Sequence, residues 1–248
     1  MKENEYAAMY AAEMEHWWYR SLREEVLHWL ARALPANGAA HKKRLLDLGC
    51  GTGGMLQRVQ ERLPGFKAYG LDYYPQALAF ASKRTPLGFL RGDVKALPFR
   101  KNTFDVVLCL DVLYTREAYP GWENTLTEIH DLLQESGVFI LQLPAFDFLR
   151  SQHDLNVHGV HRFTADEVEQ SLRRAGFQRC KIYYRYNLLF GAAVIARKLM
   201  AVKSEGSQVV TPQPALNRML YRYAQLENWM NRRVPVPFGL SVFAVAYR

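Results

Sequence analysis

A chain of 248 residues, 49% of them hydrophobic, is long enough to bury a substantial core as one large α/β domain carrying an insertion. The longest uncharged apolar stretch, residues 187–196, falls far short of the roughly 20 residues a spanning helix needs. With an acidic, polar start unlike a signal sequence, the expectation is a cytoplasmic protein. The formal charge of +8 favours an acidic partner. Arg173, Arg174, Arg179, Lys181, Arg185, Arg197, Lys198 and Lys203 follow one another without an Asp or Glu, which predicts one positive face; a solvated basic surface without a partner is the alternative. Cys50, Cys109 and Cys180 are scattered without metal-ligand spacing, so no metal site is expected.

Along the chain, residues 5–33 repeat apolar positions at helical spacing through Met9, Trp17, Leu22, Val26 and Trp29, predicting one or two leading helices before Pro35 and Gly38. Residues 44–48 form an apolar run that ends in glycines, and residues 55–59 read as a helix. Strand, glycine turn and helix therefore follow in that order. The alternation recurs: a strand at 68–71, a Pro-opened helix at 75–83, a short strand at 89–90, and a buried strand at 104–110. A helix at 119–133 and a strand at 138–143 come next. Residues 164–175 form a helix capped by Thr164 with Glu167 three residues on, and it stops at Gly176. Strands at 179–186 and 241–247 complete the count, separated by an insertion with helical segments at 188–200 and 214–230.

This pattern predicts a doubly wound, mostly parallel seven-stranded sheet with an antiparallel last strand and a helical lid insertion, its ligand lying beyond the carboxyl ends of the strands. The division expected is a helical cap over residues 1–40, a Rossmann-like core over 41–186, a lid over 187–238, and the final core strand over 239–248.

Gly49, Gly51, Gly53 and Gly54 lie between a strand and a helix, where absent side chains let the backbone approach a ligand and the helix start offers free N–H groups. The glycines alone fit a dinucleotide turn as well. Asp47 discriminates: it is an acid inside the strand, where dinucleotide folds place an apolar residue, and it suits a ligand with a cationic end.

With Asp47, Gly49, Gly51 and Gly53 in this order the sequence resembles the class I, Rossmann-like S-adenosylmethionine-dependent methyltransferases. The resemblance implies that Asp72, at the end of the second strand, accepts hydrogen bonds from the ribose hydroxyls. It further implies that Asp93 accepts one from the adenine amino group, that Tyr73 and Val94 sandwich the adenine, and that Leu110 lies beside the methionine portion. It extends to a bacterial subfamily associated with glycan and secondary-metabolite pathways, through His16-Trp17-Trp18-Tyr19-Arg20, His153-Asp154 to Thr164, Tyr186-Asn187-Leu188-Leu189-Phe190, Leu216-Asn217 to Glu227, and Pro237-Phe238-Gly239-Leu240-Ser241. One departure is Gly191, where relatives commonly carry proline. The leading helix of such a fold commonly covers the cofactor, so Arg20 is a candidate partner of the methionine carboxylate.

Methyl transfer needs alignment of the acceptor, exclusion of water and, for an oxygen acceptor, removal of a proton. His153 and His158 follow the fifth strand and are the candidate bases, with His161 a weaker third; a loop-ordering role or a His-x4-His-x2-His metal site are the alternatives. The expected function is O-methylation of a small-molecule, sugar or lipid-linked glycan acceptor, with weak contact to a membrane surface through residues 188–200 and their basic neighbours. Three rivals stand beside it. A dinucleotide oxidoreductase is disfavoured by Asp47 and Asp93. An RNA-directed enzyme is disfavoured by Leu110-Asp111-Val112-Leu113, where amino-directed nucleic-acid enzymes carry Asn/Asp-Pro-Pro-aromatic. A non-catalytic cofactor-binding protein is disfavoured by the complete set of motifs.

Overall fold

The computed structural model describes residues 3–34, 42–199, 211–234 and 236–248. The alternation read from the sequence folds into a seven-stranded sheet of order β3-β2-β1-β4-β5-β7-β6. The strands are β1 (Lys43–Leu48), β2 (Phe66–Asp72), β3 (Gly88–Arg91), β4 (Phe104–Leu110), β5 (Leu133–Pro144), β6 (Arg179–Arg185) and β7 (Ser241–Tyr247). Neighbours from β3 to β5 pair in parallel, whereas β7 runs antiparallel between β5 and β6. The helices are α1 (Glu3–Ala12), α2 (Trp17–Ala33), α3 (Gly54–Arg62), α4 (Pro75–Arg84), α5 (Trp122–Leu132), α6 (Gln152–Asn156), α7 (Ala165–Arg174), α8 (Asn187–Leu199) and α9 (Pro214–Asn231).

Because side chains alternate across a strand, each central strand feeds two cores. Leu46, Leu48, Val107, Cys109, Phe139 and Leu141 pack with Leu126 and Ile129 of α5 and Val168 and Leu172 of α7. Their neighbours Leu45, Val106, Leu108, Val138 and Ile140 pack on the opposite face with Val26 and Leu30 of α2 and Leu56 and Val59 of α3. The strand order reverses between β1 and β4, and both carboxyl ends open there into one crevice.

The expected cap of α7 is present, with the Glu167 amide donating to Thr164 Oγ1 at 3.2 Å. Among the boundaries that differ, two have a visible local cause. Helix α5 starts at Trp122 rather than residue 119 because Gly121 takes φ +84° and turns the chain just before it. Strand β5 begins at Leu133, pairing with Phe104, and bends at Ser136 (φ +65°) before its main run.

The described part of the insertion packs on the body of the domain and does not line the crevice. Among the described residues, none of 187–238 lines the cavity. Helix α9 packs instead along α2 and β6. The Trp17 amide donates to Asn217 Oδ1 at 2.8 Å, and Asn228 Nδ2 donates to the Ser21 carbonyl at 3.3 Å. Helix α9 thus buttresses α2, whose other side faces the cavity.

The described residues of the basic run do not form one face either. Arg185 is fully buried, Arg173 and Arg174 pair with Glu169 and Glu123, and Arg179 lies over the Tyr247 ring. Arg197, Lys198 and Lys203 lie outside the side chains described. No described helix is long and apolar enough to cross a membrane.

Candidate functional site

A cavity of about 560 Å³ lies over the carboxyl ends of β1, β2 and β4. Two positive-φ glycines make its floor possible: Gly49 at +74° and Gly51 at +54°. A side chain at Gly49 would put its Cβ 2.2 Å from Val112 Cγ2, so a larger residue would have to push aside the Val112 side chain in the cavity that both residues line.

Asp72 organises the turn. Its Oδ2 accepts the Gly51 amide at 2.9 Å and its Oδ1 accepts the Tyr74 amide at 2.9 Å. Burial raises its pKa above the ordinary value, with the two amides opposing that rise. Asp47 is fully enclosed, and burial, followed by repulsion from Glu13 and Asp72, holds its carboxyl well above the usual range. Such a cluster of carboxyl groups favours a ligand that brings positive charge.

Of the sequence-predicted cofactor residues, Asp47, Gly49, Gly51, Asp72, Tyr73, Asp93, Val94 and Leu110 all line this one cavity. Gly53 does not; it caps α3 and packs its bare Cα against Ala81. Arg20 is not among the lining residues either. Its guanidinium lies 4.2 Å from the Tyr221 ring of α9, drawn there by the insertion's packing on α2. Arg23 is the arginine of α2 at the cavity, but it is buried and donates to the carbonyls of Glu13 at 2.6 Å and Met14 at 3.0 Å. Burial lowers its pKa to about 10.

Of the candidate bases, His158 and His161 are not among the residues that line the cavity. His158 (φ +61°) sets Nδ1 2.9 Å from Glu117 Oε1, which also accepts the Tyr74 hydroxyl at 2.9 Å. Burial works against the Glu117 charge, but these two partners hold its pKa below the ordinary value. It is Glu117, not His158, that reaches the cavity. The side chain of His153 lies outside those described. His161 joins Asp147 and Glu167, and no described group of His, Cys, Asp and Glu could hold a metal ion.

Sequence reasoning missed the α1 wall. Tyr6, Met9 and Glu13 close the cavity from above, and Thr52 donates to Glu13 Oε2 at 2.5 Å. It also missed Asp111, which lines the cavity at the end of β4 in the left-handed region at φ +56°. An acid directly after a central strand was the available signal. His16, Trp18, Tyr19, Leu22, Tyr114 and Leu240 extend the cavity into an aromatic and aliphatic chamber.

Residues 45–137 match a methyltransferase domain family. The chain is 32% identical over 124 residues to the demethylmenaquinone methyltransferase of Thermus thermophilus, covering 48% of this chain and 55% of that one. It is 30% identical over 114 residues to the fatty-acid O-methyltransferase of Mycolicibacterium smegmatis, covering 45% and 40%. The chain thus spans about half the length of the curated relatives it matches. Its fold is that of a solved SAM-dependent methyltransferase from Thermotoga maritima, with a TM-score of 0.59 at 18% identity over 98% of this chain and 94% of the other. Strand order, glycine turn and matched domain agree: residues 45–137 match a methyltransferase domain, and they lie in a sheet with the Rossmann-like fold of solved S-adenosylmethionine-dependent methyltransferases.

Proposed function

We propose that the protein transfers a methyl group from S-adenosylmethionine to an oxygen of a small acceptor with a large apolar portion. The observation that carries this reading is the single cavity in which Asp47, the glycine turn, Asp72 and Asp93 continue into the chamber walled by Trp18, Tyr19, Tyr114 and Leu240. The residues fit the cofactor: the glycines leave a cradle that a Cβ would fill, and the carboxyl cluster calls for a cationic ligand. Asp72 would hold the ribose, Asp93 and Val94 the adenine end, and Asp47 the cationic end. When bound, the cofactor supplies an activated methyl group, so the protein's own residues have to align the acceptor, exclude water and accept a proton.

A small polar acceptor would not need so aromatic a chamber. Relatives named for quinone and fatty-acid substrates support an amphipathic acceptor, and a lipid-linked glycan fits the same description. The insertion supports delivery from a membrane surface. Leu188 of α8, Met219 and Leu226 of α9, and Val234 are each more than half exposed, interleaved with Arg218, Arg222 and Arg233.

The test is calorimetry with S-adenosylmethionine and S-adenosylhomocysteine. Wild type binds both, and Asp72→Ala loses at least about 1.5 kcal/mol of binding because charge-assisted hydrogen bonds contribute roughly 1.5 to 3. Unchanged affinity in that variant would sink the cofactor assignment.

A further inference from the structure

Resting on the methyl-transfer reading, we infer that Asp111 is the group that accepts the acceptor's proton, and that Gln142 and Arg185 are the positioning residues that aim it into the cavity. Asp111 stands at the carboxyl end of β4, beside Leu110 and the β1/β4 switch point. Its backbone is fixed in the left-handed region, an expensive conformation for a residue with a side chain. The Asp111 amide donates to the Gln142 carbonyl at 2.9 Å, which holds that backbone against β5.

One carboxylate oxygen is already engaged. Gln142 Nε2 donates to Asp111 Oδ2 at 2.7 Å, while Gln142 Oε1 accepts from Arg185 Nη1. A guanidinium carries only donors, so Arg185 decides which way the Gln142 amide faces and turns its NH2 toward Asp111. Arg185 itself is fully buried, with Nε on Asn228 Oδ1 at 3.1 Å and Nη2 on Ser21 Oγ at 3.4 Å. Its hydrogen-bond acceptors among the described residues are all neutral. A buried cation held this way is costly unless a nearby anion benefits, and Asp111 is one amide away.

The same network reaches the acceptor chamber. Ser21 Oγ bonds the Tyr186 hydroxyl at 2.8 Å, and the Tyr186 ring stacks on Trp18, a chamber residue, at 3.9 Å. Base and wall are therefore set by one buried framework. Burial raises the Asp111 pKa to about 6, with the Gln142 hydrogen bond and then Arg185 opposing, which suits proton acceptance near neutral pH. Tyr114, also in the chamber, is pushed far above its ordinary value by burial and stays protonated. In the step itself the acceptor O–H proton passes to the Asp111 carboxylate while the oxygen gains the methyl carbon. The electron pair of the broken carbon–sulfur bond leaves with sulfur, so charge and atoms balance.

The test does not need the acceptor. Sinefungin is a cofactor analogue carrying an amine where the sulfonium methyl stands, so its ammonium would face a base aimed at the methyl position. Wild type at pH 8 should bind sinefungin roughly tenfold or more tighter than S-adenosylhomocysteine, the range of a charge-assisted hydrogen bond. In Asp111→Asn that preference should fall to about twofold or less with S-adenosylhomocysteine affinity nearly unchanged. Gln142→Leu, which leaves the carboxylate in place but unaimed, should reduce the preference part-way.

A second measurement uses wild type alone. The preference should vanish as the pH falls below about 6, when Asp111 takes up its proton. Around it stand Arg185 on β6, Tyr186 just after it, Arg162 after β5, and Tyr114 and Cys109 on its own segment. Asp47 and Asp72 line the same cavity, and comparison of wild type with Asp111→Asn at fixed pH separates their contribution from that of Asp111. Equal binding of the two ligands by wild type, or a preference that survives in Asp111→Asn or at low pH, overturns the proposal. Failure to bind S-adenosylhomocysteine at all overturns the methyl-transfer reading instead.

Discussion

Neutralising Glu13 should release the helix that roofs the cavity. Its carboxylate accepts from Thr52 and lies 3.5 Å from Arg84 Nη2, with only 12% and 6% of the two side chains exposed. A Cβ on Gly54 would come within 2.3 Å of Glu13 Cδ, so the carboxylate sits directly on the first residue of α3, where a helix start favours negative charge. Breaking a buried pair costs about 3 to 5 kcal/mol when the orphaned charge is left bare. Arg84 is not left bare. It keeps the carbonyls of Thr52 at 2.9 Å and Tyr10 at 2.8 Å, and the Tyr10 ring at 4.2 Å. Glu13 also repels Asp47, and that repulsion disappears in the variant. Glu13→Gln should therefore cost about 2 kcal/mol, below the bare-charge range. Urea melts of Glu13→Gln, Arg84→Met and the double variant measure the coupling, expected to be about 1 kcal/mol or more. Amide exchange in α1 should quicken in the same variants. Effects that add within about 0.5 kcal/mol, with α1 exchange unchanged, would refute the strap.

Two further expectations concern pH and surfaces. Asp111 has a folded pKa of about 6 against an ordinary 3.8, so the folded state holds the proton more tightly than the unfolded chain between those values. Stability must then fall as pH rises through that window, by at most about 3 kcal/mol, and Asp111→Asn should flatten that part of the profile in thermal melts. Flotation with anionic liposomes at low salt should carry the protein upward through the exposed apolar and basic side chains of α9. A protein that stays wholly in the soluble fraction would move the acceptor toward a soluble sugar or secondary metabolite.

Which residues gather at the cavity was partly legible because their signals are local. Asp47, the glycines and Asp72 sit at fixed steps from strand ends, and a strand's direction carries them to one edge of the sheet without any knowledge of distant packing. Thr164 and Glu167 marked α7 for the same reason: a cap is made by residues three apart. Arg20 shows where that logic stops. Its side chain lies against Tyr221, some two hundred residues away in sequence, and no local pattern tells which side of α2 an inserted helix will take.

Proton acceptance illustrates the same division more sharply. The sequence drew attention to histidines because an unperturbed imidazole titrates near neutrality, whereas an unperturbed aspartate does not. That comparison holds only in water. Burial shifts Asp111 into the useful range, and the opposing influences come from Gln142 on β5 and Arg185 on β6, two strands that are not even adjacent in the sheet. His158, meanwhile, is held against Glu117 behind the cavity wall. A residue's suitability as a base is thus set by what the sheet places behind it: one buried arginine, turning one amide, gives an ordinary strand-end aspartate its direction and its charge balance.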